Sequence, residues 1–207
     1  MTDEAWFSVT PEPVAKKVAE DLAEFASPSK TVVIDLFAGV GGNAIAFALS
    51  SHWTQVIAIE KDPSTIACGQ RNAEIYGVGD KITWVYADCF SYLAENSSTI
   101  KTAKTVIFAS PPWGGPGYSS DAVFNLSTMH PYSAEVIHSA AKGMDCALYL
   151  PRTSDLNQIG KLAPEGKNIE VVQYCMEGMF THLRSTKTML TSIFIGASKA
   201  LVAYIPA

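Results

Sequence analysis

An open α/β fold, a doubly wound and mostly parallel sheet with helices on both faces and an antiparallel edge strand, is predicted by three observations. Apolar runs rich in β-branched residues recur between amphipathic stretches, which is the pattern of strand, crossover helix and parallel strand. A glycine-rich turn follows the first run. Acidic residues close the first three runs, placing charge along the carboxyl rim where such sheets bind ligands.

The elements follow in order. Residues Thr10 to Phe25 begin with a threonine cap and Pro11 at the first helical position, and Val14, Val18, Leu22 and Phe25 share one face, so this stretch predicts an amphipathic helix. Thr31-Val32-Val33-Ile34-Asp35-Leu36-Phe37 predicts the first strand. The turn Ala38-Gly39-Val40-Gly41-Gly42-Asn43 leads into a helix over Ala44 to Leu49, so its glycines fall where a backbone must pass close to a nucleotide-like ligand. Gln55-Val56-Ile57-Ala58-Ile59 is the second strand and ends at Glu60, an acid suited to ribose hydroxyls. Pro63 to Tyr76 predicts a crossover helix stopped by Gly77. Ile82 to Ala87 is a third strand that ends at Asp88-Cys89, and Thr105 to Ala109 a fourth. A helix over Ser133 to Lys142 stops at Gly143. The strand Ala147-Leu148-Tyr149-Leu150-Pro151 precedes Arg152. Ile169 to Tyr174 and Met189 to Ile195 come without a long helix between them, which predicts the antiparallel edge. Gly117 to Tyr132 has weak periodicity and reads as an active-site loop or lid.

The glycine spacing departs from the dinucleotide fingerprint, and Asp35 at the end of the first strand is foreign to it. An acid there suits a ligand with nearby positive charge, as in S-adenosylmethionine and unlike NAD. Helix caps or surface carboxylates are the competing reading for Asp35, Glu60 and Asp88, since acids after strands often cap the next helix.

The most informative stretch is Ser110-Pro111-Pro112-Trp113-Gly114-Gly115-Pro116, at the carboxyl end of the fourth strand. The prolines hold Ser110 and Pro111 extended with their carbonyls outward, two rigid acceptors for an amino group. Trp113 offers a flat π surface, which a cationic base would favour most. The competing reading is an ordinary proline turn with a core tryptophan. In its context the motif points to methylation of an exocyclic amine, with Ser110, Pro111, Pro112 and Trp113 as the catalytic set.

With 207 residues, 48% hydrophobic and 17% charged, the chain is read as one globular domain over 1–207, with a segment and helix over 1–27 packing on the site and a core over 28–207. It has no long apolar run and no basic signal-peptide start, which predicts a protein that is neither membrane-bound nor secreted. Cys68, Cys89, Cys146 and Cys175 form no Cys-x-x-Cys pair, and His52, His130, His138 and His182 show no metal spacing, so no metal is expected. A net charge of −5 argues against coating of long nucleic acid. Any RNA contact is expected to be small and local.

Trp6-Phe7-Ser8-Val9-Thr10-Pro11-Glu12, Asp35 to Asn43 and Ser110 to Pro116 together resemble the trimethylguanosine synthase family. The likeness extends through Asn72 to Gly77 and Leu150-Pro151-Arg152. It implies a class I methyltransferase fold, Rossmann-like, with a seven-stranded, mostly parallel sheet. The implied activity is S-adenosylmethionine-dependent methylation of the guanine amine in the 7-methylguanosine cap of small nuclear and nucleolar RNAs. It also implies a nuclear, nucleolar or cytoplasmic location and protein partners from the particles of those RNAs. By position, the resemblance assigns Thr10, Asp35, Gly39, Glu60 and Asp88 to the cofactor, with Phe7, Ala38, Val40, Gly41, Asn43, Lys61 and Cys89 completing that set. Ser8, Ser110 and Trp113 would address the cap base, and Tyr118, Arg152 and Lys187 its phosphates. Around Lys187 the spacing differs from the family pattern, and Glu60 stands where the family often has aspartate. Five residues precede Trp6, where members of the family carry a helical extension. Two rival readings are an adenine or glutamine amine methyltransferase and a non-catalytic cap- or cofactor-binding module.

Overall fold

The computed structural model describes residues 9–113, 122–176, 181–183 and 197–207. The chain divides into two compact units, 1–110 and 111–207.

The first unit opens with α1 (Glu12–Phe25), which buries Val14, Ala15, Val18, Ala19 and Leu22. It starts later than the sequence predicts. Pro11, at φ −56° and ψ 137°, is its N-cap and supplies no side-chain bond. The Thr10 hydroxyl instead accepts from Asn43 Nδ2 at 3.0 Å, so the expected cap is spent on a contact 33 residues away.

Strands β1 (Val32–Asp35), β2 (Gln55–Glu60), β3 (Ile82–Tyr86) and β4 (Thr105–Ala109) lie in the order β3-β2-β1-β4, all parallel. β1 and β4 are nearly continuous buried runs, as expected of strands covered on both faces. Helix α2 (Gly42–Leu49) follows the glycine turn, α3 (Pro63–Ile75) follows β2, and α4 (Cys89–Glu95) follows β3. Phe47 of α2 meets the ring of Phe108 edge to face at 5.1 Å, fixing that helix over the sheet.

Trp84 of β3 explains two of the glycines. A Cβ on Gly69 of α3 would stand 2.3 Å from the Trp84 ring, and one on Gly41 would stand 3.0 Å from it. The indole is thus held between the glycine turn and α3, too rigid a group to step aside. Gly69→Ala is expected to destabilise the chain by about 1–3 kcal/mol, read as a lower midpoint in urea unfolding.

In the second unit, β5 (Asp145–Leu150), β6 (Glu170–Met176), β7 (Thr181–Leu183) and β8 (Ala197–Ile205) follow the order β5-β8-β6-β7 with antiparallel pairing. β7 is a three-residue addition to the seven strands of the class. The antiparallel partner of β5 and β6 is β8, which the sequence reading did not assign, and the expected strand Met189 to Ile195 lies outside the described residues. Tyr174 of β6 and Tyr204 of β8 share a buried hydroxyl contact of 2.6 Å.

Helices α5 (Ala134–Ala140) and α6 (Leu156–Gly160) are the α-helices of this unit among the described residues. Ser133 caps α5, and Gly143 takes φ +81° just beyond it. The described part of the expected lid, 122–132, is packed rather than loose. Phe124 and Ser154 form a parallel bridge, the Leu126 N–H donates to Gln158 Oε1 at 2.7 Å, and Phe124, Leu126 and Met129 are buried. Its polar sequence conceals these three apolar anchors.

Candidate active site

Parallel strands end together, so the acids that close β1, β2 and β3 lie along one edge of the first unit. Asp35 is fully buried. One of its oxygens accepts from the Phe37 N–H at 3.2 Å, while Oδ2 has no hydrogen-bond partner among the described residues. Burial pushes its carboxyl up to about 7, against the lowering effect of the Phe37 bond and with a smaller upward push from the Glu60 charge.

Glu60 is anchored by both oxygens. Oε2 accepts from the Gly39 N–H at 3.1 Å and Oε1 from the Asp62 N–H at 2.9 Å. The turn it holds is tied at two other points: the Ala38 N–H donates to the Ile59 carbonyl at 2.9 Å, and Asn72 Nδ2 to the Val40 carbonyl at 3.0 Å. Gly39 has φ +54°, and a Cβ there would meet nothing within 4 Å, so this glycine faces open space. Gly41, by contrast, has φ +91° and is crowded by Trp84.

Asp88 is the N-cap of α4, its Oδ1 accepting from the Phe90 and Ser91 N–H groups at 3.0 Å each. The competing cap reading is therefore correct for this residue, and it stands at the strand rim as well. Cys89 is buried, and its thiol is pushed up to about 11 chiefly by that burial, so it stays protonated. Lys61 is exposed beside Glu60, Ala38 and Val40 are buried within the turn, and Asn43 is buried at the start of α2. Asn43 Oδ1 is a second buried atom without a partner among the described residues.

These residues fit S-adenosylmethionine. The orphaned carboxylate oxygen of Asp35 suits a cationic ligand, the fixed Glu60 suits a diol, and the open side of Gly39 lets a ligand approach the main chain.

After β4, Ser110 is half-buried, Pro111 is buried and Pro112 is exposed. In the second unit, Trp113 is half-buried and held at two points by Tyr149 of β5. Its Nε1–H donates to the Tyr149 carbonyl at 3.2 Å, and the two rings lie offset with centroids 5.8 Å apart and planes 13° apart. Arg152 is exposed in the turn after β5. Phe7, Ser8, Tyr118 and Lys187 lie outside the described residues.

Sequence reasoning missed Asn72, Trp84 and Tyr149 as supports of the site. Asn72 reaches Val40, Trp84 reaches Gly41 and Tyr149 reaches Trp113 from far along the chain, where no local spacing could reveal them. The Asn72 amide is the partial exception, since it lies in a stretch already noted for resemblance.

A family model described as RNA cap guanine-N2 methyltransferase matches residues 30–206. Trimethylguanosine synthase of Schizosaccharomyces pombe is 34% identical over 178 residues, covering 84% of this chain and 72% of that protein. Trimethylguanosine synthase of Saccharomyces cerevisiae is 35% identical over 164 residues, covering 78% of this chain and 51% of that protein. Among solved structures, a SAM-dependent methyltransferase from Agrobacterium tumefaciens shares the fold at a TM-score of 0.62 and 15% identity, covering 95% of this chain and 62% of that one. The chain belongs to the RNA cap guanine-N2 methyltransferase family, and its cofactor is S-adenosylmethionine.

Proposed function

We propose that this chain methylates the exocyclic amine of the 7-methylguanosine cap of small nuclear and nucleolar RNAs, to the dimethyl or the 2,2,7-trimethyl form, with the residues above in the roles their positions suggest. The single observation that carries the reading is the indole of Trp113, an aromatic plate fixed to the main chain four residues after the fully buried β4. When bound, S-adenosylmethionine supplies a methyl group on a sulfonium, which leaves as a neutral thioether.

The rest falls to the chain's own residues. The guanine amine is a weak nucleophile because its lone pair is delocalised into the ring, so catalysis is mostly alignment and exclusion of water. The Ser110 and Pro111 carbonyls accept hydrogen bonds from the amine N–H groups and turn the lone pair toward the methyl. This nitrogen would take the methyl group of a bound S-adenosylmethionine held by Asp35 and Glu60, and the proton displaced from the amine would pass to solvent. Asp35 and Glu60 hold the cofactor's charge and ribose. Trp113 favours the methylated base, whose ring is positive, by roughly 0.5–2 kcal/mol over a neutral one. Arg152 and Lys187 would meet the cap phosphates, so the RNA contact stays short, in keeping with the net charge of −5.

The RNA class, a nuclear or nucleolar setting and partners among the proteins of those RNA particles belong to this proposal. They are supported by the trimethylguanosine product for which the two yeast relatives are named. The adenine, glutamine and non-catalytic readings are not favoured by the family match.

The test is incubation with S-adenosylmethionine and 7-methylguanosine triphosphate, with products read by mass. The expected result is a gain of one or two methyl groups, with unmethylated GTP left unchanged. No gain by a chain that still binds S-adenosylmethionine overturns the reading.

A further inference from the structure

Tyr149 is only 5% exposed, so it is not itself a surface for substrate. Yet it meets Trp113 in two independent ways, through its main-chain carbonyl and through its ring. The two contacts do different things. The hydrogen bond holds one edge of the indole, and a single bond at an edge resists tilting only weakly. The offset ring, 13° from parallel, supports part of one face and removes the tilt. Tyr149 is itself held in β5, registered with Val202 of β8, so the support is part of the sheet rather than of a loop.

We propose that the Tyr149 ring is a positioning residue for cap selectivity, a backing plate that holds Trp113 at the angle a 7-methylguanine needs to stack on its other face. The inference rests on the reading of Trp113 as the cap platform. A base stacked on Trp113 then forms the outer layer of a three-ring pile. A tilted indole would keep ordinary contact with a base but lose the face-on alignment that a cationic ring rewards. Selectivity for the methylated cap should therefore suffer more than the binding of unmethylated guanine nucleotide.

The experiment compares Tyr149→Leu, Tyr149→Phe and Trp113→Ala in steady-state kinetics with the cap analogue, in binding of 7-methylguanosine triphosphate against GTP, and in calorimetric binding of S-adenosylmethionine. Tyr149→Leu keeps the carbonyl partner and removes the ring. It is expected to raise KM for the cap analogue about threefold to tenfold and to lower the preference over GTP by a similar factor. Its cofactor affinity should stay within about twofold, and its kcat should fall by less than that of Trp113→Ala, because the base is tilted rather than released. Tyr149→Phe, which keeps the plate, is expected to restore both quantities. If Tyr149→Leu loses cofactor binding as well, Tyr149→Met, whose unbranched chain fills an irregular gap better than leucine and carries no flat ring, supplies the test. Unchanged KM and preference in the ring-less variant, alongside lost cap affinity in Trp113→Ala, overturns the backing role alone. Unchanged cap affinity in Trp113→Ala overturns the platform reading itself and the backing role with it.

Discussion

Trp113→Ala is expected to reduce methyl transfer to the cap analogue by on the order of a hundredfold or more, with S-adenosylmethionine affinity within about twofold of the parent. Loss of stacking accounts for only part of this, since a cation over an indole is worth roughly 0.5–2 kcal/mol. The larger part is alignment, because a base free to shift by about an ångström no longer presents its amine along the line of displacement. The indole contributes in a second way, since its Nε1–H satisfies the Tyr149 carbonyl. Alanine removes that bond, so a modest loss of stability should accompany the loss of turnover. Single-turnover methylation and calorimetry on the same preparation separate the two. Turnover near that of the parent would show that the cap base is held elsewhere.

Asp35→Asn is expected to do two opposite things: weaken S-adenosylmethionine binding by about tenfold to a hundredfold, and stabilise the cofactor-free chain at pH 8. The folded carboxyl titrates at about 7 against an ordinary 3.8. Below the unfolded value both states are protonated and the group is neutral to stability. As pH rises from there to about 7 the unfolded chain gives up its proton first, so the fold loses stability through that window and regains none above it. The full penalty is on the order of 4 kcal/mol. An asparagine escapes it, although its own amide lacks the acceptor it would need, which returns part of the gain. The net expectation is a melting temperature higher by about 3–8 °C at pH 8, with the advantage gone near pH 4. Cofactor affinity of the parent should fall as pH drops below about 7, where protons compete with the cationic ligand. In the variant it should be nearly flat. Equal pH profiles for the two proteins would mean that Asp35 does not face the charge.

The parts of the fold legible in the sequence are those whose burial is written locally. β1, β2 and β4 read as strands because both of their faces are covered and their apolar runs are unbroken. α1 and α3 read as helices because their buried residues recur on one face. β8 was missed because Ala197 to Ile205 carries few β-branched residues, and its conformation comes from pairing on both sides with β5 and β6. Thr10 misled for a related reason. A threonine before a proline-led helix predicts a cap, but the buried Asn43 amide competes for the hydroxyl and wins. At the site, the positions of Asp35, Glu60 and Asp88 at the strand ends were legible, since they follow from strand periodicity alone. The tie from Glu60 to Gly39, the indole of Trp84 beneath the glycines and the pairing of Trp113 with Tyr149 were not. They depend on which strands become neighbours and how their side chains meet.

The two anchored oxygens of Glu60 have a kinetic consequence. Because one carboxylate already ties the turn after β1 to the start of the turn after β2, the main chain on this side needs no ordering when a ligand arrives. Capture there is a docking event onto a finished surface, governed by diffusion and orientation. Differences in affinity among adenosyl ligands should then appear as differences in how long each one stays.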